Sequence, residues 1–280
     1  MFLAARNIVK SWLLVLALVA LFAFVGWLLD GVRGLTIFAF CALLVAAGAY
    51  WTFDRVVLGM IGARELPVGE APLLHSTVER LAARAGIAKP RLYLIPDGLP
   101  IAAATGRGIR SSALAVSTGC VAACAPAELE GVLAHEIAHV RLHDVQVQTA
   151  AAVSAAVLLE TSRIGGWFER ALLFVLGPIA AACVHLLVSP KRELVADRYA
   201  ATLCDSPHGL ADALLRLEQA AELVEFEGSP ATEPLFTINP FAEHGLGALF
   251  VTHPPVEERV RRLRELDPAR RDRPQSDVAA

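Results

Sequence analysis

Charged residues are scarce in this chain. Lys, Arg, Asp and Glu make up only 19% of its 280 residues and leave a formal net charge of −3. So small a balance argues against a nucleic-acid partner. The five cysteines form no metal-binding pattern. Cys41 and Cys183 lie within apolar runs, Cys204 stands alone, and Cys120 with Cys124 makes a C-x-x-x-C that lacks a matching pair. A cytoplasmic domain would keep them reduced. No internal repeat is visible. No A-x-A cleavage site follows the first apolar run, which therefore reads as an uncleaved anchor although Arg6 and Lys10 precede it.

Apolar side chains are abundant instead, at 55% of residues with a mean hydropathy of +0.53, too high for an average soluble domain. Trp12–Leu29 and Leu35–Phe53 are charge-free runs of 18 and 19 residues. As helices each reaches about 27–28 Å, close to the roughly 30 Å of a bilayer's hydrocarbon core. Ala171–Val188 is a third candidate span and carries Pro178 and His185, both tolerated where membrane helices pack together. His185 reads as a packed, bundle-facing residue, although an ionisable group there is a flag for function. Val145–Leu159 is weaker, being short and holding Gln146 and Gln148. Arg6 and Lys10 lie before the first span and Arg55 and Arg64 after the second, whereas the turn between holds only Arg33. The positive-inside rule then places both termini in the cytoplasm.

Between these runs lies His135-Glu136-Ile137-Ala138-His139, an H-E-x-x-H. Residues four apart share a helix face, so both imidazoles can reach one Zn²⁺. Glu136 then stands where it can hold a water at the metal and take its proton. The bland alternative is two surface histidines on an ordinary helix. Context argues against it: Pro126 suits a first helical position, Glu128 a first turn, and Leu129, Val132, Leu133, Ile137 and Val140 form an apolar stripe at helical spacing.

A third ligand is needed. The long zincin form would place a His six residues after the second ligand with a Gly between, but Val145 and Leu142 occupy those positions. His143 lies one turn further along the face and reads as solvated or close behind the ligands. A Glu from a later helix is the other common route. Arg192-Glu193-Leu194-Val195-Ala196-Asp197 offers Glu193, with Asp197 one turn on, where it can accept a hydrogen bond from a ligand imidazole. Its bland alternative is a charged helix face with Lys191, Arg192 and Arg198. His135 and Glu193 must lie on one side of the membrane to share a metal, so the chain crosses an even number of times between them. Two hairpins and four spans follow, with a re-entrant third segment as the alternative. The Val145–Leu159 run starts about 9 Å along the helix from His139, which sets the metal just above the bilayer.

The expected organisation is a transmembrane hairpin over 1–54, a first half-lobe over 55–144, a second hairpin over 145–188, a second half-lobe over 189–266 and a disordered tail over 267–280. Within the lobe the pattern predicts a helix over Leu73–Ala85 ending at Gly86, strands over Arg91–Ile95 and Ala113–Thr118, a helical run over Gly209–Val224 and a basic helix over Val256–Leu266. The fold class is α+β, mainly helical: a zincin-like lobe on a four-helix transmembrane base.

These stretches resemble the HtpX-type membrane metallopeptidases, relatives of the CAAX prenyl endopeptidases. The likeness covers roughly 1–266. It rests on Leu114-Ala115-Val116-Ser117-Thr118-Gly119, on Glu128-Leu129 leading into Val132–His139, on Asp144, and on Arg192-Glu193 with Ala196-Asp197. Thr252-His253-Pro254-Pro255 with Glu258-Arg259-Val260 and Leu263 completes it. The resemblance implies one Zn²⁺ per chain on His135, His139 and Glu193, with Glu136 as general base and Asp144 and Asp197 supporting the ligands. It also implies that His253 stabilises the oxyanion; alternatively, two prolines simply fix His253 at a helix entry. The charge bias sets the metal site on the cytoplasmic face of the inner membrane, its place just above the bilayer favours membrane or misfolded proteins as substrates, and the resemblance implies a role in membrane protein quality control. One departure stands out. The family's Asn-Ala-Phe-Ala on the substrate-pairing edge strand is Ile101-Ala102-Ala103-Ala104 here. Two other classes remain: a sensor-transducer peptidase, disfavoured by the short polar tail, and a non-catalytic pseudopeptidase scaffold, favoured only by that altered edge.

Overall fold

The computed structural model describes residues 2–163, 169–204, 206–223, 229–238 and 247–266. The expected tail, 267–280, lies outside them, as do the tip of the second hairpin and Val224. The chain opens with a long helical element, α1 (Phe2–Met60), broken at Asp30 (φ −146°, ψ 34°) and Gly31 (φ 55°, ψ −136°). The break is a reversal. A Cβ on Gly26 would lie 2.3 Å from the Gly34 carbonyl oxygen, whereas eight residues along a straight helix are about 12 Å apart. The two arms therefore meet backbone to backbone near the turn, and only glycine at both positions allows that approach.

By length and apolar composition two stretches are candidate spans among the described residues: Phe22–Gly48, which the reversal at Asp30–Gly31 divides between the two arms of α1, and Glu169–Leu187. A third counts if the bent pair Pro126–Arg141 and Asp144–Glu160 is one span. The arms of α1 carry a mostly exposed apolar surface, including Leu28, Val32, Phe40, Val45 and Trp51.

The lobe that follows is built on a four-stranded sheet, β1 (Arg64–Glu65), β2 (Arg91–Ile95), β3 (Ala102–Gly108) and β4 (Ser111–Ser117), in the order β1-β2-β4-β3. β2 and β4 are parallel; β1 pairs antiparallel with β2, and β3 with β4. β3 is thus an edge strand. It is longer than the stretch singled out in the sequence, because Ala102–Gly108 contains small residues with no strand-like alternation. Ser117 fastens its entrance: its hydroxyl donates to the Leu99 carbonyl and accepts from the Ile101 and Cys120 amides.

Helices α2 (Pro72–Ala85), α3 (Thr118–Ala123) and α4 (Pro126–Arg141) follow local signals. Pro72 and Pro126 open α2 and α4, where the missing N–H is no loss. Gly86 closes α2 in the left-handed conformation at φ 66°. α4 is the buried axis of the lobe, with Val132, Leu133, Ala134, Ile137, Ala138 and Val140 all at 0% exposure. It packs against α2, α7 (Pro190–Leu203), α8 (His208–Leu223) and β3. A Cβ on Gly131 would meet the Leu210 amide at 2.5 Å, and one on Gly209 the Ala127 carbonyl at 2.2 Å. Glycines at both places let α4 and α8 touch. α9 (Val256–Glu265) closes the lobe against α8 and α7.

α4 and α5 (Asp144–Arg163) meet at 89°. His143 makes the corner, with φ 62°. That is its place in the fold; it is not among the clustered donor atoms. α5 packs along α6 (Glu169–Leu187), α1 and β3, and its Val145, Ala151, Ala152 and Ala155 are fully buried. It links the apolar base to the lobe. His185 lies exposed on α6, with Nε2 2.9 Å from the Leu249 carbonyl. All five cysteines are free.

Candidate active site

Two helices converge on one point. α4 presents His135, Glu136 and His139, and the first turn of α7 presents Glu193. The His135 and His139 rings stand edge to face with their Nε2 atoms 3.1 Å apart. Glu193 Oε2 lies 3.3 Å from His135 Nε2, and Oε1 lies 3.4 Å from His139 Nε2. All three residues are buried.

The far side of each imidazole faces a carboxylate. Asp197 Oδ1 is 2.9 Å from His135 Nδ1, and Asp144 Oδ2 is 3.3 Å from His139 Nδ1. Asp197 takes two hydrogen bonds of 2.8 Å from Arg259, whose Nη1 also donates to the Thr237 carbonyl at 2.6 Å. Arg192 pairs with Asp144 and donates to the Leu142 carbonyl. Glu136 accepts a hydrogen bond from Thr237 Oγ1 at 2.7 Å on its Oε1. His253 enters from the loop before α9. Its Nδ1 is 2.8 Å from Glu233 Oε1, and its Nε2 is 3.8 Å from Glu193 Oε2. Glu233 also accepts from the Thr252 amide and hydroxyl.

The start of β3 runs past this cluster. Phe236 forms an isolated antiparallel bridge to Ala103, and the Thr237 amide donates to the Ala102 carbonyl at 3.3 Å. Further along, Thr149 of α5 bonds Thr105 and the Gly106 amide, and Gln146 donates to the Arg107 carbonyl. Ile101, Ala102, Ala103 and Ala104 are buried.

The electrostatics follow from burial against charge. Burial opposes ionisation of Glu193, but His139 and His253 override it and hold the carboxyl well below its usual range. Burial likewise opposes the Asp197 anion, and Arg259 wins, bringing it to about 2. Asp197 in turn raises Arg259 despite its burial. Burial would lower His139 and His253. Glu193 and Asp144 override it at His139, and Glu233 and Glu193 at His253, so both are raised.

The donor set fits a metal ion. Ligand atoms at about 2.0–2.1 Å from a tetrahedral ion lie about 3.3–3.4 Å apart; the two Nε2 atoms are 3.1 Å apart, each has one Glu193 oxygen within 3.4 Å, and one donor atom from each of the three residues lies within 4.8 Å of the others. Glu193 Oε2 is buried and accepts no hydrogen bond among the described residues. Five buried carboxylates, those of Glu136, Asp144, Glu193, Asp197 and Glu233, face two buried guanidinium groups, those of Arg192 and Arg259. That field favours a cation between the imidazoles. Among the described residues, this is the cluster of His, Cys, Asp and Glu able to hold a metal.

Sequence reasoning named His135, Glu136, His139, Asp144, Glu193, Asp197 and His253, and the fold brings them together. It missed Glu233 and Thr237. Both lie in an irregular stretch, 229–238, with no local pattern, and each meets its partner only through folding.

A buried two-His, one-carboxylate cluster beside an edge strand, in a chain with membrane-length helices, defines the class: a membrane protein with a candidate metal centre. Comparison with known proteins makes it particular. The model for peptidase family M48 matches residues 69–267. Proteins described as protease HtpX homologs align over nearly the whole chain. That of Persephonella marina is 40% identical, covering 92% of this chain and 96% of its own length. That of Acidiphilium cryptum is also 40% identical, over 93% and 96%. That of Pyrococcus abyssi is 38% identical, over 92% and 95%. The crystal structure of S. mikatae Ste24p superimposes with a TM-score of 0.46 at 19% identity, covering 94% of this chain and 66% of that one. The chain belongs to peptidase family M48, among its HtpX-type membrane metalloproteases.

Proposed function

We propose that the protein is a zinc endopeptidase holding one Zn²⁺ per chain on His135, His139 and Glu193. It cleaves membrane or unfolded proteins at the cytoplasmic face of the inner membrane and serves membrane protein quality control. The observation that carries the chemistry is the convergence of three buried donor atoms beside Glu136.

When bound, the ion supplies Lewis acidity towards the scissile carbonyl and brings the pKa of water into the neutral range. Asp144 hydrogen-bonds His139 Nδ1 and Asp197 stands 2.9 Å from His135 Nδ1, an arrangement of carboxylates that favours both Nε2 atoms facing inward. Glu136 takes the proton from the attacking water and returns it to the leaving amine. Its Oε1 is engaged by Thr237, which leaves Oε2 for that exchange. Glu233 occupies His253 Nδ1, so His253 Nε2 faces the reacting centre and can donate to the developing oxyanion. The substrate backbone pairs with Ala102–Ala104 as an added strand, which loss of the Asn and Phe side chains does not prevent, since main-chain groups supply the bonds. Phe236 and Thr237 sit on that edge, so an incoming strand displaces them.

Four spans in two hairpins support the membrane base. The reversal at Asp30–Gly31 makes the arms of α1 a pair, and α5 returns along α6. Flanking Arg6, Lys10, Arg55 and Arg64 favour a cytoplasmic lobe. The test is cleavage of an unfolded membrane protein by the detergent-purified, zinc-loaded chain beside its Glu136→Gln variant. The variant should keep zinc and lose activity on the order of a hundredfold or more. Equal activity removes Glu136 from the mechanism, and zinc binding without cleavage by either protein favours a scaffold.

A further inference from the structure

A second polar site lies apart from the His135 cluster. A cavity of 260 Å³ is lined by Trp51, Asp54, Arg55, Lys89, Arg91, Arg107, Arg110, Ser111 and Ser112. It shares no residue with the candidate active site. Five cations from three parts of the chain meet here: the end of α1, the approach to β2, and the β3–β4 hairpin. The acids among them are spoken for. Asp54 is buried and takes Arg91 at 2.7 Å, and Glu79, outside the lining, takes Lys89 at 2.9 Å. The lining holds five cations and one acid, and Arg55 and Arg110 are exposed. Hydroxyl donors stand beside it: Ser111 Oγ lies 3.3 Å from Arg107 Nη2.

The cavity's position narrows the ligand. Leu35–Phe53 is charge-free, and Asp54 and Arg55 are the first charged residues after it. Trp51, 68% exposed, stands at this boundary with the Arg107 guanidinium over its ring at 4.9 Å. Trp and Arg at the end of a span mark the headgroup level of a bilayer. A recess lined by Arg, Lys and Ser at that depth matches a tetrahedral anion, because guanidinium forks and hydroxyls complement phosphate oxygens. Cations near an anionic membrane surface also attract its lipids.

We propose that this cavity is a binding site for a phosphate-bearing anion, supplied by an anionic phospholipid headgroup. The placement at headgroup depth rests on the reading of α1 as membrane-spanning, but not on zinc or proteolysis.

The experiment uses the full chain in detergent, with bound phospholipid counted by native mass spectrometry after exchange into phosphatidylglycerol or phosphatidylcholine. Inorganic phosphate is added as a competing arm. The wild type should retain phosphatidylglycerol and release phosphatidylcholine. Each interfacial cation contributes on the order of fivefold, so Arg55→Gln with Arg110→Gln, two exposed positions, should weaken retention roughly twenty- to thirtyfold. Arg55→Lys with Arg110→Lys should restore most of it, and Arg262→Gln, exposed on α9 and not flanking a candidate span, should change nothing. Retention that phosphate leaves intact assigns the lipid. Phosphate binding that the double Gln variant abolishes, without lipid selectivity, keeps the anion site but assigns a soluble phosphate compound. Equal retention of both lipids with no phosphate binding, or a double Gln variant that binds lipid and phosphate like the wild type, overturns the proposal. Cleavage activity enters none of these readouts, so failure here is separable from failure of the peptidase assignment.

Discussion

Arg259 is the side chain on which the region behind the candidate metal centre depends, and replacing it gives a sharp test. It is 0% exposed, and Asp197 is 3% exposed. Its two 2.8 Å bonds to Asp197 and its 2.6 Å bond to the Thr237 carbonyl tie α9 to α7 and to residue 237. Arg259→Met fills similar space but strands the Asp197 carboxylate. Breaking a buried pair from one side costs about 3–5 kcal/mol. For a chain of this size each kcal/mol shifts Tm by roughly 2–4 °C, so the expected fall is roughly 6–20 °C. Arg259→Lys should lie between, since an ammonium cannot reproduce the two-pronged contact. The informative variant is the double one, Arg259→Met with Asp197→Leu. It removes the stranded charge, so most of the stability returns. His135 Nδ1 has then lost its carboxylate, so zinc affinity stays on the order of 10- to 100-fold weaker. The assays are thermal unfolding of detergent-purified protein with zinc chelated, and zinc titration against a competing chelator. A Tm change under 2–4 °C in Arg259→Met, or a double variant no more stable than the single one, would refute the reasoning.

Other outcomes follow from the same geometry. Asp144→Ala should weaken zinc binding on the order of 10- to 100-fold by releasing His139 Nδ1; unchanged affinity in the same titration counts against that role. Glu128 takes Arg216 through both oxygens and caps the Ala125 amide at the start of α4. Its hydrogen bond to Arg216 lowers its pKa, so its contribution is complete above the unfolded carboxyl's value and fades as pH falls through the folded one. Glu128→Ala should cost about 1–2 kcal/mol near neutral pH, while Glu128→Gln keeps the cap and costs under about 1 kcal/mol. Both differences should shrink in melts taken below about pH 4, and a loss that is the same at every pH argues against the ion pair. Gly26→Leu should destabilise the first hairpin by about 1–3 kcal/mol, because its Cβ meets the Gly34 carbonyl. Gly48→Leu, with open space around it, is the control; equal Tm values for the two would speak for a straight helix.

Local chemistry was the legible part of the sequence. Pro72, Pro126 and Gly86 mark the limits of α2 and the start of α4, and the i, i+4 spacing puts His135 and His139 on one turn. Asp197 was readable only because it lies one turn beyond Glu193. What stayed hidden needed the chain to fold. Arg259 reaches Asp197 across 62 residues, and Thr237 reaches Glu136 across 101. No period links such pairs. Glu233 stands between Thr232 and Pro234, where its sequence suggests only a turn, yet it is 0% exposed. β3 was legible only at its first residues, for its alanines and glycines give no alternation, and pairing with β4 makes it a strand. His143 looked like one more turn of α4. The left-handed backbone there reflects the 89° corner, which depends on where α5 packs.

The covered rim of β3 has a further consequence. An exposed sheet edge is a template on which any extended chain can grow, and folded proteins guard against it. Here Phe236 and Thr237 cover the start of the strand, and Thr149 and Gln146 engage its later residues. A resting molecule therefore offers its neighbours no free rim at these positions. Copies crowded together are thereby kept from zipping into one another along this strand.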